Sequence, residues 1–267
     1  RLFIRKCFWA CPSVAFSAGN FYSIASGNFE TPSTWSLIGY AGAATLIAPT
    51  NYSTVHIGNN RTVTVTAGSK TLTNSTVNVG NGSAGTLDIG TYSGISIGTL
   101  AGSGTIRITA SEAATAVFPT VTTNTFVTTA GSTVEYYGST NYNLPAAPAA
   151  YRILRISGTG QTKSTSALLR INQTLNLGGG LLSIGSNNLD IAVGATVTGT
   201  PSSTNMILAN STGLVRKYFN ANGSFTYPFG TTGVYTPAAI TFTATTFTAP
   251  AGSRFIAMRL VATVASN

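Results

Sequence analysis

Val55-His56-Ile57-Gly58-Asn59 returns as Val77-Asn78-Val79-Gly80-Asn81 and again as Ile95-Ser96-Ile97-Gly98-Thr99, at intervals of 22 and 18 residues. Each copy is an apolar-polar-apolar triplet followed by glycine and a polar residue, which reads as a short strand ending in a turn. A second series is offset from the first: Val63-Thr64-Val65, Leu87-Asp88-Ile89 and Ile106-Arg107-Ile108, spaced 24 and 19. Downstream, Val134-Glu135-Tyr136, Leu154-Arg155-Ile156, Leu175-Asn176-Leu177 and Val197-Thr198 are spaced 20, 21 and 22, and Leu169-Arg170-Ile171 precedes Leu189-Asp190-Ile191 by 20. Two interleaved strand series with a period of about 20 residues predict a parallel β-helix, a β-solenoid in which each strand stacks on its equivalent one coil later. Val, Ile and Leu then face inward, and the residue between them faces out.

Stacking fixes neighbours. Equivalent outward residues in successive coils sit one inter-strand spacing apart, about 4.8 Å. Asp88 is therefore expected beside Arg107, and Asp190 beside Arg170. Opposite charges in that relation contribute about 0.2–1 kcal/mol, and like charges cost as much. These four residues read as structural ladder pairs rather than catalytic groups. The same register places His56, the only histidine, over Asn78 and Ser96 in a polar ladder.

The chain divides into three parts. Residues 1–20 have the layout of a secretory signal or a capping segment: Arg1, Arg5 and Lys6 precede an apolar run from Cys7 to Phe16, and Ala15-Phe16-Ser17 fits a cleavage site. Either the segment caps the fold, or the numbered chain is a piece of a longer one. Residues 21–204 carry the solenoid pattern, with a Pro/Ala-rich break near 144–150. Over 205–267 the period fades into longer alternating runs separated by turns at Ala221-Asn222-Gly223, Gly230 to Gly233 and Pro250-Ala251-Gly252. That spacing predicts a small antiparallel, sandwich-like sheet, suited to covering the solenoid's open end.

Composition agrees with an all-β chain. Charged residues are 7%, hydrophobic residues 43%, and Thr alone is about one residue in six. Disordered chains combine low hydrophobicity with high charge, so disorder is excluded. The net charge is +9, and residues 151–267 hold eight basic residues against one acid. Such a field favours an anionic polysaccharide or an anionic cell surface. No basic helix, zinc-ligand spacing or other docking motif points to nucleic acid. Two cysteines, Cys7 and Cys11, are too few for a disulfide framework or a four-ligand zinc site. No apolar stretch reaches the ~18–20 residues of a membrane-spanning helix.

Phe21-Tyr22-Ser23-Ile24-Ala25-Ser26-Gly27-Asn28-Phe29, followed by Pro32 and Trp35, resembles the opening of β-helical modules in large secreted surface proteins of the Bacteroidota. The run from Val55 to Val65 and the later Gly223 to Gly230 with Tyr235 to Ala238 are similar to further parts of such modules. The resemblance implies export through the outer membrane, often by the type IX route, and roles in adhesion, surface layers or filaments. The sorting domain of that route is not evident in this sequence.

Chemistry is sparse. Glycoside hydrolysis needs two carboxylates flanking one bond, and the five acids are Glu30, Asp88, Glu112, Glu135 and Asp190. Glu112 and Glu135, 23 residues apart, are the only pair that one coil could bring together. No acidic cluster exists to hold calcium, and no acid falls in the ladder of His56 to orient it as a base. Gly178-Gly179-Gly180 lacks the Lys-Ser/Thr of a phosphate loop and reads as a turn. Threonine arrays of the kind that bind ice are interrupted by Asp88 and Arg107. Tyr136, Tyr137, Tyr142 and Tyr151 cluster around the Pro/Ala break, where rings either cover a gap between coils or stack on a glycan.

The sequence thus predicts a non-enzymatic, extracellular structural or adhesive module without catalytic residues, metal or cofactor. Its expected partners are copies of itself, other surface modules, or an anionic polysaccharide. A self-assembling subunit of a filament or sheath is the alternative, and a polysaccharide-active β-helix a third.

Overall fold

The computed structural model describes residues 19–243 and 254–261; all but the last two residues of the signal-like segment, both cysteines and the turn at Pro250-Ala251-Gly252 lie outside these. The chain is an all-β solenoid of about eight turns, 48% strand and 3% helix, with small antiparallel sheets. Three parallel faces build it. The first stacks Asn20–Ser23, Thr54–Ile57, Lys70–Val79, Ile95–Ala101 and Thr120–Asn124. The second runs through the whole solenoid, from Gly27–Asn28 through Arg61–Thr64, Gly85–Gly90, Thr105–Ile108, Thr133–Tyr136, Ala150–Ile156, Leu169–Leu177 and Leu189–Ile191 to Val215–Tyr218. The third begins where the first ends and stacks Tyr142–Asn143, Thr162–Ser164, Leu181–Ser183, Ile207–Leu208 and Phe229–Thr231.

Inward positions form continuous apolar columns. Val63, Leu87, Ile106, Val134, Leu154 and Leu175 follow one another in register and are all buried. Burying each such side chain contributes about 1.5–3 kcal/mol, and the column repeats that gain once per coil.

One expected register shifts. His56 does pair with Asn78, but Ser96 pairs with Thr71, not Asn78, and Asn78 lies against Ala101. The cause is a bulge: Thr76 lies four positions beyond Leu72, whereas their partners Ile97 and Thr99 are two apart. Gly98 backs that bulge, since a Cβ there would lie 2.5 Å from the Thr73 carbonyl oxygen. The coil is lengthened locally, so identical triplets in sequence are not equivalent in space.

The turn after this strand is equally tight. Gly102 has φ +107°, and a Cβ on it would sit 2.0 Å from the Val79 carbonyl oxygen. Gly102→Ala is expected to destabilise the solenoid by at least the ~1–3 kcal/mol of such backbone strain, because the obstacle is main chain and cannot swing aside. Urea denaturation of the variant beside the native chain measures it.

Antiparallel strands lie at both ends of the described solenoid. Trp35–Ser36 closes the first face by pairing antiparallel with Asn20–Ser23. The Trp35 ring is fully buried between Phe21 and Phe29, edge-on to both, and its indole N–H donates to the Phe29 carbonyl at 2.9 Å. At the other end Phe255–Met258 pairs antiparallel with Val215–Tyr218, Val234–Tyr235 with Phe229–Thr231, and Ala238–Phe242 with Gly223–Tyr227. Parallel stacking continues beyond residue 205, so the antiparallel strands are interleaved with the last coil instead of following it. The period fades there because excursions lengthen the coil: Asp190 and Arg216 are in register yet 26 residues apart. The Pro/Ala segment is a loop on a continuous stack, since Thr133–Tyr136 and Ala150–Ile156 pair directly across it.

Candidate functional site

The charged side chains gather on the outer side of the second face. Asp88, Arg107, Glu135 and Arg155 occupy one outward row in four successive coils. Arg107 donates from Nη1 to Asp88 Oδ2 at 3.1 Å and from Nε to Glu135 Oε2 at 2.9 Å. Glu135 Oε1 also accepts from Ser157 Oγ at 2.7 Å and meets Arg155 Nε at 3.4 Å. Tyr137 lies across the Arg107 guanidinium, 4.0 Å from its ring centre, and donates its hydroxyl to Asp88 at 2.9 Å. Burial, with the Asp88 carboxylate beside it, pushes the Tyr137 phenol up to about 12.

A second row holds Arg170, Asp190 and Arg216. Asp190 stands 4.0 Å from Arg170 but 2.6 Å from Arg216, and takes a further bond from the Tyr218 hydroxyl at 3.3 Å. Both aspartate–arginine neighbours expected from the repeat are in place. Glu135 and Arg216 join them, and the period alone does not reveal this. The step from Arg107 to Glu135 is 28 residues, because that coil also carries the segment 109–119, whose Thr115 bridges to Asn143, and a 3-10 turn at Phe126–Thr128.

The tyrosines at the Pro/Ala break are not a glycan platform. Tyr136, Tyr142 and Tyr151 are buried in the core, and only Tyr137 is partly exposed. The Tyr136 and Tyr151 hydroxyls bond each other at 3.0 Å, and the Tyr142 hydroxyl donates to the Tyr137 carbonyl at 2.9 Å. A ring packed on both faces offers none to a sugar. Their apolar bodies fill the solenoid where its first face stops, and each polar tip finds a partner. Burial raises all three phenols well above their ordinary range.

Glu112 and Glu135 are held by separate sets of partners. Both Glu135 oxygens are committed, as described, while Glu112 is exposed and accepts from the Asn141 backbone N–H and side-chain amide. Among the described residues, no group of three or more His, Cys, Asp or Glu side chains is placed to hold a metal ion.

Two lysines occupy inward positions. Lys163 follows Tyr142 and precedes Leu182 in an inward column of the third face. It is fully buried, donates to the carbonyls of Gly138 and Thr140 at 3.1 and 2.5 Å, and lies 4.2 Å from the Tyr142 ring centre. Lys217 follows Ile171 and Ile191 in a column of the second face. It donates to the carbonyls of Ala192 and Ala195 at 2.7 and 2.6 Å and sits 5.2 Å from the Phe225 ring. Burial pulls both ammonium groups down to about 8; the Glu112 charge partly opposes this at Lys163. Lys217 also borders a cleft of about 480 Å³ between Val193–Val197 and the segment 217–226.

No protein-family model, curated protein or solved structure matches this chain. No helix among the described residues is long and apolar enough to cross a membrane.

Proposed function

We propose that this chain is a non-catalytic structural or adhesive module of an extracellular surface protein, a stiff rod of the kind found in the Bacteroidota modules it resembles. The observation that carries this reading is the commitment of the carboxylates. Glu30 pairs with Lys70 at 3.1 Å, Asp88, Glu135 and Asp190 bind arginines between coils, and Glu112 is held by Asn141. A group locked in a ladder supports register, not proton transfer. Antiparallel strands at both ends of the described solenoid oppose open-ended stacking, which favours a module over a filament subunit.

The arginine rows favour an anionic polymer as one thing the rod touches. Arg155 and Arg170 side chains are 46% and 41% exposed, whereas Glu135 and Asp190 are 10% and 6%. Solvent therefore meets guanidinium, with the carboxylates beneath it, and Arg152 adds a further basic group between the rows.

Surface biotinylation of intact cells producing the native protein, with assay of the purified chain on acidic and neutral polysaccharides, tests the module reading. Labelling from outside without depolymerisation is expected. Turnover of any polysaccharide that Glu135→Gln abolishes overturns it.

A further inference from the structure

On the outer side of the first face, away from the arginine rows, three rings meet. Tyr22 and His56 are cross-strand neighbours in register, and their rings stack with centroids 4.6 Å apart and an interplanar angle of 11°. Tyr40 arrives from the loop after Trp35–Ser36 and packs edge-on against Tyr22 at 5.3 Å. It can lie close to the strand because Gly58 is there: a Cβ on Gly58 would come 2.6 Å from the Tyr40 hydroxyl. All three residues are partly exposed. The rest of that outer face is built of Thr, Ser, Asn and Ala, so these rings stand out from a polar surface.

Amides surround them. The outward row continues from His56 to Asn78, whose small side chain leaves the far side of the imidazole without a ring over it. Asn81 brings its side-chain amide within 3.2 Å of His56 Nδ1. Asn59 and Asn60 are exposed and held left-handed at φ 54° and 58°, with the Asn59 N–H donating to Ser83 Oγ at 2.6 Å.

This is the chemistry of an uncharged ring with an apolar face and a hydroxyl rim. Aromatic faces take the C–H side of a pyranose, and an amide presents a donor and an acceptor side by side, matching adjacent hydroxyls. We propose that Tyr22, Tyr40 and His56, with Asn78 and Asn81, form a binding site for a neutral polysaccharide chain. The site is independent of the rod reading and of the arginine rows, since neither supplies any of its residues.

His56 is the only histidine, so its ring protons give a single, unambiguous reporter. The test uses the full chain with labelled histidine, titrated with a soluble neutral glucan, mannan and galactan, and with a polyuronate. At least one neutral polymer is expected to shift the His56 ring resonances saturably, with an affinity unchanged between low and high salt. Tyr22→Ala and Tyr40→Ala, which both keep the His56 reporter, should each weaken that binding about tenfold or more, equivalent to about 1.4 kcal/mol. Tyr22→Phe, which keeps the ring face and the fold, should retain it. The proposal is overturned if no neutral polymer moves the His56 signals, or if binding survives Tyr22→Ala in a folded variant. Binding confined to the polyuronate and lost on adding salt also overturns it, and assigns recognition to the arginine rows.

Discussion

Raising the pH from 8 to 10 is expected to stabilise this protein, against the usual trend, and replacing Lys163 and Lys217 together by methionine is expected to abolish that rise. Both ammonium groups sit in the core with carbonyl oxygens around them and no carboxylate in contact, and burial pulls both down to about 8. In the unfolded chain a lysine titrates near 10.4. Between those values the unfolded state binds more protons than the folded one, so stability climbs with pH. Each lysine contributes about 2 kcal/mol of relief from pH 8 to pH 10.

The tyrosines then reverse the slope. Tyr137 and Tyr227 are pushed up to about 12, and Tyr136, Tyr142 and Tyr151 higher still, all chiefly by burial. Above pH 10 the unfolded phenols ionise while the folded ones keep their protons, so stability is lost. Five tyrosines outweigh two lysines, and the optimum falls near pH 10. Urea midpoints measured across pH 7 to 11 give the profile. The double methionine variant should be flat to about pH 9 and then fall, more steeply than the native chain because no lysine offsets the phenols. A native profile that is flat over the first interval would mean that the lysines are not desolvated as described.

What the sequence disclosed and concealed follows from where the repeat is regular. The Asp88–Arg107 and Asp190–Arg170 pairings were legible because the second face keeps apolar residues on both sides of each outward charge. The third face was not, since its strands are only two or three residues long and one of them is Thr162-Lys163-Ser164. Nothing in that triplet marks lysine as the inward residue; only its register with Leu182 does. The tyrosines near the Pro/Ala loop misled for a related reason. A phenol carries a polar tip that reads as surface, whereas here each tip is satisfied inside by another hydroxyl or a carbonyl. The pairing of Tyr22 with His56 was equally hidden, because their 34-residue separation exceeds the period. The intervening loop carries the capping Trp35.

Glu135 supplies the sharpest test of the ladder. Glu135→Gln is nearly isosteric, yet it is expected to cost about 2 kcal/mol. The side chain is largely buried and bridges two guanidinium groups and a serine hydroxyl. A glutamine must turn its amide N–H groups toward at least one of these donors, leaving a cation without its counter-charge. Fully buried pairs broken from one side lose about 3–5 kcal/mol, and the partial exposure of Arg107 and Arg155 reduces that figure. Arg155→Gln, made at the exposed end of the row, should cost well under 1 kcal/mol. The asymmetry follows from burial, because removing the outer partner leaves Glu135 still held by Arg107 and Ser157, whereas removing the inner one takes the carboxylate from Arg155 and leaves Arg107 with Asp88 alone. A double-mutant cycle between Glu135 and Arg107 should return a coupling of about 1 kcal/mol or more that survives high salt. If Glu135→Gln instead folds with undiminished stability, the carboxylate is not there to hold the coils in register. Its position on an exposed basic face would then have to be explained by chemistry done on a bound polymer.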